Sequence, residues 1–175
     1  MSLVVGVMSI VVLVVFVLLG YRSTFGGGSA LVVDESTDRW LTYKQNEFGY
    51  SFRYPGIFEV SKTLENDQGD IVSLVKEATQ EDRDLVKIEV AASRIPVKDY
   101  LEKVEGNNKY MSEFVQVKGS NPKMFRAKSN SEFMAESMIT GSDKMSYQLT
   151  VMVFGGDEQR YFDVFDKIVS TFRYK

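Results

Sequence analysis

The residues with chemistry to offer in this chain are carboxylates. They gather at Asp34, Glu35 and Asp38, at Glu65, Asp67 and Asp70, and at Glu81, Asp82 and Asp84. Grouped oxygens of this kind suit a hard cation such as calcium. Two that converge across a cleft would suit the acid and base of a hydrolase. None of the groups has the spacing of a calcium loop with its terminal glutamate, and their polar surroundings read as solvated turns. Spacing along a chain does not show that two carboxylates meet. A serine–lysine dyad would need a strand-to-helix elbow around the serine, and no serine has one. Gly26-Gly27-Gly28 lacks the lysine of a phosphate loop. No catalytic, cofactor-binding or metal-ligating residue is therefore assigned, and no cofactor is expected.

Two missing residue types narrow the chemistry further. There is no histidine and no cysteine. Ser-His-Asp and Cys-His nucleophiles are excluded, as are His- or Cys-ligated metals and disulfides. The usual charge switch near neutral pH is gone too. The 175 residues carry a net charge of -3, with basic residues dispersed, which argues against nucleic acid as a partner. Apolar residues make up 44% and charged residues 26%, the balance of a folded domain and not of a disordered chain.

The first segment is of another kind. Leu3–Leu19, LVVGVMSIVVLVVFVLL, holds no charge. As a helix it reaches about 26 Å, close to the hydrocarbon thickness of a bilayer. It is apolar all round, which a helix packed on a small domain would not be. A cleavable signal peptide ending at Gly28-Ser29-Ala30 is the rival reading. The run is long for one, and no Lys or Arg precedes it. Residues 1–22 are thus expected to be an uncleaved, single-pass transmembrane signal-anchor. Residues 23–36, with Gly26-Gly27-Gly28-Ser29, form a flexible linker, and 37–175 form the globular domain. Arg22, following the span, would by charge counting place the domain in the cytoplasm.

Within the domain, strands alternate with polar breaks. Arg39–Lys44, Phe48–Tyr54, Ile57–Val60, Ile71–Lys76 and Leu85–Ala91 have strand composition. Val86, Ile88 and Val90 share one face of theirs. Asn66–Asp70 reads as a polar turn. After Pro96 the period changes: Val97, Tyr100, Leu101 and Val104 mark one face of a short helix. Lys98–Glu102 and Asp99–Lys103 would pair along its exposed side. Gly106-Asn107-Asn108 stops the helix. Phe114–Val117 and Met124–Ala127 are short strands. Ser131–Thr140 and Lys144–Phe154 form a hairpin about Gly141-Ser142-Asp143. Met145, Tyr147, Leu149, Val151 and Val153 alternate strictly there. Asp157 would cap a last helix whose stripe is Tyr161, Phe162, Phe165, Ile168 and Val169.

The row EFGYSFRYP poses the sharpest question. Phe48, Tyr50, Phe52 and Tyr54 fall on every second residue, with Gly49, Ser51 and Arg53 between them. Exposed rings beside cations would stack bases. Arg53 points away from the rings, and Glu47 and Glu59 would repel phosphate. Each ring hides about 150–250 Å² when buried, so the row is expected to be core, and Pro55 to end the strand.

The stretch TYKQNEFGYSFRYPGIFEV (Thr42–Val60) resembles the opening of a PsbP-like domain, a family named for an extrinsic subunit of the photosystem II oxygen-evolving complex. Ile168-Val169-Ser170-Thr171-Phe172-Arg173-Tyr174 resembles the family's closing strand. Val97–Val104 matches its short helix, and Val115–Ala127 a worn strand–glycine–strand element. The resemblance implies an α+β fold, an α/β/α sandwich around a mainly antiparallel sheet. It also implies a non-catalytic, extracytoplasmic accessory or protein-binding role, tethered to the cell membrane, with an unidentified protein partner. That placement opposes the charge count at Arg22. Family members that bind metal tend to use histidine, so no metal site is carried over. A Ran-binding nuclear-import regulator family shares the fold, so fold alone does not fix function. A carboxylate-dependent hydrolase, or an oxygen-ligand cation-binding domain, is the alternative. It requires two acids facing one cleft, at least one of them desolvated.

Overall fold

The computed structural model describes residues 37–66, 68–80, 84–105, 111–118, 124–129, 135–154 and 158–175. The expected anchor (1–22), linker (23–36), stop at Gly106-Asn107-Asn108 and cap at Asp157 lie outside them. Among the described residues, no helix is long and apolar enough to cross a membrane.

Strict alternation builds the larger sheet. Its strands are β3 (Glu59–Asn66), β4 (Gly69–Lys76), β5 (Leu85–Ser93), β6 (Met111–Gln116), β7 (Met124–Ser129), β8 (Ala135–Gly141) and β9 (Ser146–Phe154). They run in the order β3-β4-β5-β9-β8-β7-β6, with every neighbouring pair antiparallel. In the middle of the sheet Val72 pairs with Val90, Val90 with Leu149, and Leu149 with Met138. All four are buried, so this row lies on the core face. The side chains between them point the other way, as the two-residue strand period requires.

A helix covers each face. α1 (Val97–Glu105) contacts β6, β8 and β9, and Tyr100 reaches Gln148 on the face opposite the core. Ser137, Gln148 and Thr150 are hydrogen-bonded to one another beneath it. α2 (Glu158–Thr171) packs on the core face, burying Tyr161, Val164, Phe165, Ile168 and Val169. The sandwich of helices about a mainly antiparallel sheet is therefore present.

A second sheet accompanies it. β1 (Leu41–Gln45), β2 (Tyr50–Tyr54) and β10 (Arg173–Tyr174) form a separate three-stranded sheet in the order β1-β2-β10. It shares the core with α2 and the larger sheet. The aromatic row faces inward: Phe48 is 2% exposed, Tyr50 2%, Phe52 1% and Tyr54 8%. Phe48 belongs to the turn before β2 and not to the strand. Its ring closes the end of the row, beneath the Arg94 guanidinium at 5.2 Å. Pro55 ends β2 as expected.

Two further expectations need correction. The turn between β3 and β4 is tight, because the strands run to Asn66 and restart at Gly69. Asn66 closes it by accepting bonds from the N–H groups of Gln68 and Gly69. Asp70 is thus a strand residue on the core face and has no solvent exposure. Asp84 is buried as well, and its carbonyl accepts from Lys76 Nζ at 2.8 Å. Neither is the solvated turn residue that its polar neighbours suggested.

Candidate functional site

The carboxylates can be placed first. Asp70 sits in the seam between the sheets. Tyr50 Oη donates to its Oδ2 at 2.5 Å, while Oδ1 is buried without a hydrogen-bond partner. Burial, and then this bond, push the Tyr50 hydroxyl well above the ordinary tyrosine range. Tyr43, stacked on Phe52 at 5.3 Å, is raised by burial and then by the nearby charge of Asp70. Glu65 pairs with Asp70 across the β3–β4 ladder. Its carboxylate instead takes Lys62 Nζ at 2.8 Å and Gln45 Nε2 at 3.2 Å. The lysine bond, with smaller help from Gln45, holds Glu65 below the usual carboxylate range.

This is the pair of neighbouring acids, one fully desolvated, that a hydrolase would want. It lacks the cleft: Asp70 is sealed under rings, and Glu65 is occupied. Asp67, Glu81, Asp82, Asp34 and Glu35 lie outside the described residues, and Asp38 lies in the 3-10 turn Thr37–Arg39. Among the described residues, no three acidic, His or Cys side chains gather closely enough to hold a metal ion.

The other face of the small sheet differs. Its outward positions, paired strand to strand, are Thr42 with Arg53, and Lys44 with Ser51 with Arg173. None of the five is acidic and three are cationic. Lys175 follows β10, and its N–H donates to the Gly49 carbonyl at 3.1 Å. That bond sets Lys175 beside the β1–β2 turn, where Gly49 takes a left-handed φ of 66°. Lys44, Ser51, Arg173 and Lys175 line a shallow hollow of about 150 Å³, together with Tyr50 and Tyr174. Glu47, in the same turn, is not among the residues that line the hollow. It turns to Arg94 of the larger sheet's end, 3.0 Å away.

Sequence pattern placed Ser51 and Arg53 opposite the rings. It did not reveal that Lys44 and Arg173 would flank Ser51. β2 and β10 are joined only by pairing across most of the chain, and a two-residue strand leaves almost no periodic signal.

A seven-stranded antiparallel sheet with a helix on each face and a small accessory sheet is a PsbP-like fold. Specifically, the chain is similar to the solution structure of cyanobacterial PsbP (CyanoP) from Synechocystis sp. PCC 6803. Identity is 15%, the TM-score is 0.51, and the match covers 85% of this chain and 98% of that one. No family model matches the chain, and no curated protein does. At this identity the likeness speaks for the fold alone.

Proposed function

We propose that this protein is a non-catalytic accessory or protein-binding module, held at the cell membrane by residues 1–22 and presenting its PsbP-like domain on the extracytoplasmic side. The observation that carries the non-catalytic reading is the sealing of Asp70. The most chemically suggestive group in the domain is spent on binding two sheets together. A catalytic carboxylate must reach the proton it moves, and Asp70 has no exposure through which a substrate could approach. The PsbP-like fold supports an accessory role in general, and the charge-free run Leu3–Leu19 supports the anchor.

Proteolysis of intact and permeabilised cells tests the placement. The domain should be cut in intact cells. Protection until permeabilisation would put it in the cytoplasm and remove most of the support for an extracytoplasmic accessory. Crosslinking in cells, followed by recovery of bound proteins, should return one dominant partner dependent on the folded domain.

A further inference from the structure

We propose that the outward face of the small sheet, built from Lys44, Ser51, Arg173 and Lys175, docks on the anionic headgroups of a phospholipid surface. The proposal rests on the anchored reading above and names what the anchored domain does with its nearest face.

Three observations carry it. The first is charge. The chain as a whole is at -3, so an anionic surface repels it on average. The outward rows of the small sheet hold three cations and no acid. Attraction is therefore local and orients the domain with this face toward the lipid. Each cation brought to an anionic bilayer surface tightens association about fivefold.

The second is shape. The hollow is shallow and open, with Lys44, Arg173 and Lys175 exposed around the half-buried Ser51. Three donors of positive charge spread over a flat sheet match a plane of phosphates better than one enclosed ligand. Arg173 is partly held in place, since its Nη1 donates to the carbonyls of Ser170 and Phe172.

The third is the tether. The small sheet is where the described strands begin: β1, starting at Leu41, is the first strand after the expected anchor at residues 1–22. On the anchored reading, the small sheet is therefore the part of the described domain that lies nearest the anchor along the chain.

The test reconstitutes the full chain with two kinds of vesicle, phosphatidylcholine alone and equal parts phosphatidylcholine and phosphatidylglycerol. Flotation is scored first, then acylation of individual lysines by a membrane-impermeant reagent, read by mass spectrometry. Lys98 and Lys144, exposed elsewhere on the domain, serve as references. The chain should float with both lipids. Labelling of Lys44 and Lys175, relative to the references, should fall about fivefold or more in anionic vesicles, and recover in high salt. In the K44E/R173E double variant, Lys175 should label equally in both lipids.

Equal labelling of the wild type in both lipids overturns the proposal and leaves an acidic protein surface as the occupant. Flotation with neither lipid overturns both the anchor and the docking face. Flotation with anionic vesicles alone, abolished by K44E/R173E, overturns the anchor and upholds the face.

Discussion

At the residue scale the seam hangs on Tyr50. Its hydroxyl is the hydrogen-bond donor to a carboxylate that has left water completely, and the other carboxylate oxygen has none. Tyr50→Phe keeps the ring stacked with Phe52 and edge-on to Tyr147 but strands Asp70. Leaving a buried acceptor unpaired costs about 1–3 kcal/mol, so Y50F should lower the urea midpoint without changing the slope. Adding Asp70→Asn in the same chain should return part of the loss, because a neutral amide is cheaper to bury than an unpaired charge. If Y50F is neutral, the bond does not hold the seam. Tyr100 offers a second residue-scale test, through pH. Burial pushes its hydroxyl up from 10.0 to about 12. The folded state therefore binds that proton more tightly than the unfolded chain does. The stability this gives is whole below about pH 10 and is lost as pH rises toward about 12. Tyr100→Phe should be less stable than wild type at about pH 8, because Gln148 loses its donor. The gap should narrow by about pH 11, where wild type has begun to lose the tyrosine's contribution. A gap of constant size at both pH values would show that the Tyr100 hydroxyl is not shielded from water.

At the element scale the β8–β9 hairpin is the tightest joint. A Cβ on Gly141 would lie 2.2 Å from the Met145 carbonyl oxygen and 2.9 Å from Ser146 Cα, both backbone atoms that cannot step aside. The turn is closed by Ser142 N–H to the Met145 carbonyl at 2.8 Å, and the Gly141 carbonyl accepts from Tyr174 Oη at 2.8 Å. Gly141→Ala should therefore cost about 1–3 kcal/mol, the usual penalty of forced overpacking. Gly56→Ala should cost far less, because its Cβ would meet only Leu41 Cδ1 at 4.0 Å. Thermal midpoints of the two variants decide the matter, and equal shifts would refute the close approach. This hairpin was also the most legible element in the sequence. Strict alternation from Tyr147 to Val153 and a Gly-Ser-Asp break are local signals, and local signals survive without a partner. The same holds for Val86, Ile88 and Val90 and for Tyr161, Phe165, Ile168 and Val169 of the α2 stripe, all buried where their periods put them, while Phe162 is only partly buried. The division into two sheets was not legible. Whether β2 continues beside β3 or turns away to pair with β10 depends on contacts between the two ends of the domain. Asp70 was misread for a related reason. A polar run such as Asn66–Asp70 looks like a turn throughout, and only the tyrosine arriving from β2 makes one of its acids a core residue. The basic outward face was half legible: alternation placed Ser51 and Arg53 outside, while the neighbours that make a surface of them came from β1 and β10.

At the scale of the whole molecule the question is whether the small sheet is an independent flap or part of one cooperative core. It is joined to the rest by more than contact. Tyr147 Oη of β9 donates to the Phe48 carbonyl at 2.8 Å, Arg53 N–H donates to Thr171 Oγ1 of α2 at 2.9 Å, and Tyr50 meets Asp70 of β4. The ring of Tyr147 lies 5.8 Å from that of Tyr50 and 5.5 Å from that of Phe172, so the apolar core is continuous across the seam. Removing the small sheet would expose Phe52, Phe172 and the core face of β9 together. That loss of burial, at about 25 cal/mol per Å² of apolar surface, would overwhelm whatever entropy a loosened three-stranded sheet recovered. Separate melting is thus disfavoured, and a single transition is expected for a domain of this size. The chain provides its own reporter, since its one tryptophan, Trp40, is buried immediately before β1. Denaturation of the full chain in a neutral detergent, followed by Trp40 fluorescence for the small sheet and far-ultraviolet circular dichroism for the larger one, should give coincident midpoints. Y50F should move both curves together. A fluorescence transition that runs ahead of the dichroism would mean that the small sheet opens alone, and that its basic outer face is carried on a hinged element and not on the rigid body of the domain.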